Sequence, residues 1–171
     1  MVDQGKSQQA DAAFNIRPVR PSDNPAVARI IRQVMTEYGA VGCGFSINDP
    51  EVDSIYEAYP HPRWAFFVVE KQKRVLGCGG TGPLQGGEAG VCELRKMYFM
   101  PELRGAGIGK QLLGIILDAA RGAGYSLCYL ETLENMSHAR KLYSKYGFEP
   151  IRHALGNTGH SSCNCFMTLK L

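Results

Sequence analysis

A glycine-rich run, RGAGIG at residues 104–109, lies between a strand pattern and a long helix pattern. A turn of this kind collects unpaired backbone N–H groups at the positive end of a helix, and the missing Cβ atoms let an anion approach closely. The phosphate loop G-x-x-x-x-G-K-[ST] does not match, because Arg104 replaces its first glycine and Gln111 follows Lys110. The dinucleotide fingerprint G-x-G-x-x-G does not match either. The run predicts another kind of anion site, with an ordinary tight turn as the alternative.

The charged residues around this turn are mostly basic. They are four cations and two carboxylates: Arg95, Lys96, Arg104, Lys110, Glu93 and Glu102. An excess of positive charge agrees with a polyphosphate ligand. Glu93 stands apart because it interrupts a largely apolar strand pattern, where an unpaired charge is costly. It is either a functional group or the partner of Arg95 or Lys96 in a salt bridge.

Alternating strand and helix patterns surround the turn. Apolar residues at helical spacing predict helices over residues 22–38, 49–59, 107–123 and 137–146. Strand patterns cover residues 14–19, 64–70, 75–80, 91–100, 125–132, 148–153 and 163–169. Seven glycines between Gly77 and Gly90 predict a flexible connection. The order β-α-α-β-β-β-α-β-α-β-β predicts a single α/β domain over residues 14–171 with a mixed sheet, preceded by a flexible tail over residues 1–13.

The composition excludes several classes of protein. The 171 residues are 44% hydrophobic and 20% charged, which rules out a disordered chain, a collagen-like chain and a coiled coil. No apolar run approaches the ~20 residues of a membrane helix. The 19 basic and 16 acidic residues form no basic stripe that would indicate nucleic-acid binding. Six cysteines without a C-x-x-C pair favour a reducing compartment, and a cytoplasmic location is expected.

Two segments together resemble the GNAT family of N-acetyltransferases. The first is R-G-x-G-I-G after a strand that ends F-M-P, and the second is A-R-K-L-Y-S-K-Y-G-F at residues 139–148. They occur in the order and separation that the family shows, so the likeness is specific over residues 90–150 and weaker back to Phe14. The resemblance implies a mostly antiparallel central sheet flanked by helices. It also implies transfer of an acetyl group from acetyl-CoA to an amine. Separately, no spacing of His, Cys, Asp and Glu residues supports a metal site, so no metal is expected.

The resemblance further implies which residues bind the coenzyme. In the family, the glycine turn holds the pyrophosphate and the pantetheine arm lies along the end of the preceding strand. The matching residues are Arg104, Gly105, Ala106, Gly107, Ile108 and Gly109 in the turn, and Met97, Tyr98 and Phe99 in the strand. Many members carry an asparagine seven residues before a catalytic tyrosine. That position is Met136 here, so the neighbouring Asn135 is a weaker candidate.

Two catalytic roles follow from the same resemblance. Tyr143 matches the tyrosine that protonates the departing thiolate, and a phenol with a reference pKa of ~10 suits that role. Glu93 lies where several members carry their general base. Core packing of Tyr143 and a salt bridge of Glu93 remain the alternatives, and His153 or His160 could replace Glu93 as the base.

In the family, the acceptor pocket is built from the first two helices and the loop between the last two strands, so the resemblance implies that the acceptor contacts those segments. Glu37, Tyr38, Asn157 and His160 are the candidates there. The leading prediction is a primary amine of a small molecule. A protein lysine or N-terminus is the second possibility, and a regulatory module that binds acetyl-CoA without turnover is the third. Neither nucleic acid nor a membrane is expected as a partner, and a homodimer is compatible with the fold by analogy.

Overall fold

The computed structural model describes residues 14–60 and 62–171, so the predicted tail over residues 1–13 lies outside the described residues. The strands are β1 (Asn15–Pro18), β2 (Ala65–Lys71), β3 (Arg74–Pro83), β4 (Val91–Phe99), β5 (Leu127–Thr132), β6 (Glu149–Ile151) and β7 (Cys165–Lys170). The helices are α1 (Asn24–Glu37), α2 (Ile55–Ala58), α3 (Ile108–Gly122) and α4 (Ser137–Lys145). Their order along the chain is the predicted one.

The described strands form one 7-stranded sheet in the order β1-β2-β3-β4-β5-β7-β6. Neighbouring strands are antiparallel except for β4 and β5, which are parallel and are connected through α3. The hairpin between β2 and β3 turns at Gln72 and Lys73, whose φ angles of 50° and 62° suit a tight two-residue turn. The predicted mixed, mostly antiparallel sheet flanked by helices is therefore confirmed.

The core lies between this sheet and the two long helices. α1 packs against β3 and β4, while α3 packs against β2 and β3. The buried faces of these helices carry the apolar residues that helical spacing predicts, namely Val27, Ile30, Ile31 and Val34 in α1 and Leu112, Leu113, Ile116 and Leu117 in α3. Gly124, with a φ of 80°, follows the end of α3.

The glycine-rich stretch after residue 77 differs from the prediction of a flexible connection. β3 continues to Pro83 and includes four of these glycines. Three of them make room for aromatic rings, since a Cβ added at Gly77 would lie 2.7 Å from the Phe99 ring. A Cβ added at Gly80 would lie 2.5 Å from the Phe66 ring, and one added at Gly82 would lie 2.1 Å from the Trp64 ring. In this stretch glycine therefore allows close packing within a regular strand, and the prediction is wrong for β3.

The predicted helix over residues 49–59 is also different, because it consists of two short pieces. A 3₁₀ turn covers Pro50–Asp53 and α2 follows it, with Ser54 between them at φ −140° and ψ 46°. That conformation is outside the helical region, so the two pieces cannot continue each other. Asp49 and Glu51, which precede the break, both pair with Lys96 of β4.

A β-bulge in β4 interrupts the centre of the sheet. Between Cys78 and Gly80 of β3, the pairing partners on β4 shift by one residue, so β4 has an extra residue at Lys96–Met97. Lys96 has a φ of 51°, a value in the left-handed region that non-glycine residues seldom adopt. On the other side of β4, the pairing with β5 ends at Glu93. Beyond that point β4 and β5 diverge, and a gap opens within the sheet.

Candidate active site

The glycine turn joins β4 to α3 with its backbone open to a ligand. Gly105 and Gly107 have φ angles of 80° and 74°, which glycine adopts without strain. α3 begins at Ile108 with Gly107 as its cap and without a capping side chain. In the described part of the chain, the N–H groups of residues 105–109 donate to no backbone carbonyl. A Cβ at Gly105 or Gly107 would meet no atom within 4 Å, so open space lies in front of these donors.

A cavity of about 190 Å³, named the turn cavity, opens in front of this turn. Its walls are the end of β4, the turn itself, the start of α3 and one face of α4. Most of the predicted coenzyme residues line it, namely Met97, Tyr98, Phe99, Arg104, Gly105, Gly107, Ile108 and Gly109. The fold therefore brings the strand end and the glycine turn together around one space.

Two predicted coenzyme residues lie outside this lining. Ala106 is exposed but does not line the turn cavity. Asn135 donates its side-chain amide to the carbonyl of Tyr38 at 3.0 Å, which ties the segment before α4 to the end of α1. Met136, which occupies the position of the family's asparagine, lines the turn cavity instead. A thioether cannot donate a hydrogen bond, so Met136 offers an apolar contact at this position.

A smaller cavity of about 60 Å³, named the inner cavity, lies where β4 and β5 diverge. Glu93 of β4 and Glu131 of β5 line it from the two strands, and His160 lines it from the loop before β7. Five residues line both the inner cavity and the turn cavity, namely Met97, Tyr98, Met136, Ala139 and Tyr143. These residues form the wall where the two cavities meet.

Glu93 is only 5% exposed. Burial raises the pKa of its carboxyl group, although the positive charges of Arg95 and His160 oppose that shift. The expected salt bridge to Arg95 is present but long, at 3.4 Å between Nε and the carboxylate. Arg95 is closer to Glu51, at 2.8 Å, and its guanidinium also stacks on Trp64. Arg95 therefore leaves the Glu93 carboxylate incompletely neutralised beside the inner cavity.

Tyr143 combines a packing role with its position in the shared wall. Its ring packs at a tilt against Phe148, with 5.8 Å between the ring centroids. The residue is 6% exposed, and burial raises the pKa of its hydroxyl group. The phenol is therefore protonated at neutral pH. Core packing and a chemical role are both compatible with this environment.

A network of buried ion pairs connects β4 to the segment before α2. The Lys96 side chain is 1% exposed, and its Nζ lies 2.5 Å from Asp49 and 2.9 Å from Glu51. His160 Nε2 lies 3.1 Å from Asp49. Burial alone would lower the pKa of His160, but its contacts with Asp49 and Glu131 raise it to about 9. A protonated imidazole cannot accept a proton, so His160 is a poorer base at neutral pH than Glu93.

Sequence reasoning missed Glu131, Asp49 and Glu51. A signal for Glu131 was available, because it interrupts the apolar run LCYLET as Glu93 interrupts β4. No local signal was available for Asp49 and Glu51. Their role depends on ion pairs with Lys96, more than forty positions away.

The predicted acceptor residues are spread over several places. Glu37 pairs with Arg104 at 2.6 Å, and Tyr38 lines the turn cavity. Asn157 lines a third cavity of about 220 Å³, named the loop cavity, beneath the loop of residues 154–163. His160 is the predicted acceptor residue that lines the inner cavity, while His153 is exposed.

Two further properties concern membranes and metals. In the described ranges, no helix has both the length and the apolar character that crossing a membrane requires. The same residues contain no group of three or more His, Cys, Asp or Glu side chains placed to hold a metal ion. The described cysteines are free thiols, and Cys92 and Cys128 lie side by side on β4 and β5.

Comparison with known proteins decides the family. The family model of the acetyltransferase (GNAT) domain matches residues 62–150. The chain belongs to the GNAT family. It is 44% identical over 165 residues to the uncharacterized N-acetyltransferase YjgM of Escherichia coli K12. This alignment covers 92% of this chain and 99% of that protein. It is also 36% identical over 106 residues to the IAA acetyltransferase of Azospirillum brasilense, covering 62% of this chain and 67% of that protein.

Solved structures share the fold of this GNAT chain. A GNAT-family acetyltransferase of Staphylococcus aureus Mu50 superposes with a TM-score of 0.80 at 21% identity, covering 93% of this chain and 99% of that one. Salmonella typhimurium yncA, solved with its cofactor acetyl-CoA, superposes with a TM-score of 0.76 at 22% identity. The superposition covers 93% of this chain and 94% of that one. As a GNAT member, the chain is an acetyl-CoA-dependent N-acetyltransferase. The free N–H groups and open space of its glycine turn fit the pyrophosphate of that donor.

Proposed function

We propose that this enzyme transfers the acetyl group of acetyl-CoA to a primary amine of a small molecule, with Glu93 as general base and Tyr143 as general acid. The observation that carries the proposal is the wall between the two cavities. Tyr143 lines the turn cavity and the inner cavity, and Glu93 lines the inner cavity. This arrangement supports a direct reaction between a thioester on one side and an amine on the other.

The coenzyme would be held mainly by backbone groups. The N–H groups of residues 105–109 would bind the pyrophosphate, and the edge of β4 from Met97 to Phe99 would pair with the pantetheine arm as with an added strand. Acetyl-CoA, when bound, supplies an activated acyl group and a thiolate leaving group. The bulge at Lys96–Met97 would direct a backbone N–H towards the thioester carbonyl and stabilise the negative charge that develops there.

The acceptor needs a base because alkylamines are protonated at neutral pH. An amine with a pKa of ~10.4 needs about 4.6 kcal/mol to reach its neutral form at pH 7. A buried carboxylate with a raised pKa is a better base near neutral pH than an exposed one. Glu93 has both properties and lines the cavity that the amine would enter. It would accept the amine proton directly or through one water.

The departing thiolate needs a proton, and Tyr143 is the candidate donor. Burial raises the pKa of the phenol, which keeps its proton in place until the C–S bond breaks. Its position in the shared wall supports contact with the sulfur atom. No covalent enzyme intermediate is needed.

The size and cover of the inner cavity favour a small molecule over a protein acceptor. The cavity has a volume of about 60 Å³, and Met35, Phe45 and Ser46 help to line it. The chain between Phe45 and Glu51 is fixed to β4 through the ion pairs of Lys96. A peptide substrate requires an open groove across this face, whereas a slender amine requires only a narrow entrance.

The first experiment is a thermal melt with and without acetyl-CoA, followed by a screen of small amines for thiol release. Acetyl-CoA at ~100 times its Kd should stabilise the protein by about 2.7 kcal/mol. For a domain of this size, the Tm should rise by roughly 5–11 °C. Absence of a shift would refute the coenzyme site. A shift without turnover of any amine would leave a protein acceptor or a regulatory module as the function.

Two variants then test the catalytic roles. Tyr143→Phe and Glu93→Gln should each lower kcat by roughly 10²–10⁴-fold, while the Kd of acetyl-CoA stays close to that of the wild type. Tyr146→Phe is the matched control, because Tyr146 lies outside both cavities and its hydroxyl donates to the carbonyl of Lys110. If Tyr143→Phe is as active as Tyr146→Phe, Tyr143 is not the acid.

A further inference from the structure

Three residues line both the inner cavity and the loop cavity: Glu131, His160 and Cys163. The loop cavity lies between the loop of residues 154–163 and the sheet, where Phe166 of β7 also lines it. The turn cavity, the inner cavity and the loop cavity therefore follow one another through shared walls. Glu131 therefore lies on the loop-cavity side of the inner cavity, and Tyr143 lies on its turn-cavity side.

Glu131 is the polar group of this junction with an unused hydrogen-bonding atom. Its side chain is 4% exposed. One oxygen, Oε1, accepts hydrogen bonds from the Tyr129 hydroxyl at 2.7 Å and from Thr158 Oγ1 at 3.0 Å. The other oxygen, Oε2, has no hydrogen-bond partner in the described part of the chain, and His160 Nδ1 is 3.6 Å away. A buried carboxylate oxygen without a donor is unfavourable, and a ligand N–H would satisfy it.

The charged groups around the inner cavity could be balanced by one additional cation. Four carboxylates and three cations form a connected set, namely Asp49, Glu51, Glu93 and Glu131 with Arg95, Lys96 and His160. When all seven groups are ionised, the set has one negative charge in excess. Arg95 and Lys96 have their shortest contacts with Glu51 and Asp49, which compensate their charges away from Glu131. A single bound ammonium group would bring the set to neutrality.

We infer that Glu131 is a specificity-determining residue that binds the acceptor in its ammonium form, so that the enzyme selects compact primary amines that are cationic at neutral pH. This inference rests on the proposed function, because it names the acceptor class of the same site. Glu131 holds the cation at the entrance to the inner cavity, within the space where Glu93 accepts a proton. A neutral nucleophile of the same shape would leave the excess negative charge of this set uncompensated.

A purely structural role for Glu131 makes a different prediction. Through Oε1, the carboxylate also fixes Thr158 of the loop and the Tyr129 hydroxyl. If that were its whole role, its replacement would loosen the loop and weaken the binding of every acceptor to the same extent. Charge recognition, by contrast, weakens the binding of cationic acceptors alone.

The test compares two acceptors of nearly equal shape in the full-length enzyme. Pentylamine is cationic at neutral pH, whereas O-butylhydroxylamine is uncharged there and also carries a reactive –NH₂ group. Glu131→Gln should raise the KM of pentylamine by roughly 10- to 100-fold, the loss expected for one charge-assisted hydrogen bond. The KM of O-butylhydroxylamine and the Kd of acetyl-CoA should be essentially unchanged. Thr158→Val is the control for loop loosening and should change both KM values by the same factor.

Each outcome decides between the inference and the proposed function. If wild-type enzyme acetylates pentylamine and Glu131→Gln changes the two KM values equally, changes neither, or changes only kcat, the inference is wrong and the proposed function stands. If wild-type enzyme binds acetyl-CoA but acetylates no small amine, the proposed function is wrong and the inference falls with it. If Glu131→Gln does not fold, the two KM values of the wild-type enzyme test the inference instead. The inference requires a lower KM for pentylamine than for O-butylhydroxylamine, and it is wrong if the two values are equal.

Discussion

Replacing Gly107 by alanine separates the backbone conformation of the turn from its role in binding acetyl-CoA. Gly107 has a φ of 74°, and an added Cβ would meet no atom within 4 Å. The substitution therefore causes no clash. Its cost is that of placing a residue with a Cβ in the left-handed region, about 1–2 kcal/mol. For a chain of this size, we expect the Tm to fall by roughly 2–8 °C.

Gly124 offers a control at the other end of α3. Its φ is 80°, and a Cβ there would also meet nothing within 4 Å. Gly124→Ala should therefore lower the Tm by a similar amount. Only Gly107 of these two glycines lines the turn cavity, so a methyl group there would stand between the N–H groups and the pyrophosphate. Gly107→Ala should raise the Kd of acetyl-CoA by roughly 10- to 100-fold, the cost of about one charge-assisted hydrogen bond.

Isothermal titration of acetyl-CoA into the wild type and both variants measures this difference, and thermal melts of the free proteins measure the shared cost. If Gly107→Ala binds acetyl-CoA as tightly as Gly124→Ala does, the turn does not bind the coenzyme through its backbone. If both variants lose affinity equally, the effect reflects a general loosening of α3 and the reasoning also fails.

Three further predictions concern the buried charges and the close packing. The pKa of His160 is raised from 6.5 to about 9, so its ion pairs stabilise the fold fully below pH 6.5 and lose that effect as the pH rises through 9. Over this pH range, the Tm should fall more steeply in the wild type than in His160→Gln. Parallel curves of Tm against pH would contradict this. Lys96→Met should cost about 3–5 kcal/mol in urea unfolding, because it removes a buried cation from Asp49 and Glu51. Arg32→Met, at a side chain 48% exposed, should cost less than about 1 kcal/mol. Equal losses would refute the distinction. Gly82→Ala would place a Cβ 2.1 Å from the ring of Trp64, the single tryptophan. It should lower the free energy of unfolding by about 1–3 kcal/mol and shift the fluorescence emission of Trp64. An unchanged spectrum and stability would show that the ring is not packed there.

The parts of the fold that local patterns specify could be predicted from the sequence. The glycine turn and the long helices α1 and α3 fall in this group, because positive φ angles and helical spacing directly restrict the residue types. The continuation of β3 through its glycines could not be predicted. At Gly82 the residue type reflects the ring of Trp64 across the sheet, and such a contact is invisible in a local pattern.

The candidate site shows the same division. The turn lies in one continuous segment, so its residues could be identified together. The buried ion pairs of Lys96 join it to Asp49 and Glu51, more than forty positions away, and the bulge that contains Lys96 arises in the pairing of β4 with β3. Glu131 lies between these cases, since its charge within an apolar strand was a visible signal, but its free oxygen depends on contacts made across the sheet.

The shared wall between the cavities also affects how the enzyme can change over time. The turn cavity is built largely from residues 97–109 and α4, whereas the segment 154–163 lines most of the loop cavity, and the segments 45–46 and 154–163 line part of the inner cavity. Insertions or replacements in those two segments alter the acceptor side and leave the backbone of the glycine turn in place. Acceptor preference can thus diverge between descendants of this chain while coenzyme use is inherited intact. A mutant library confined to the two segments would sample new acceptors without losing the acetyl donor.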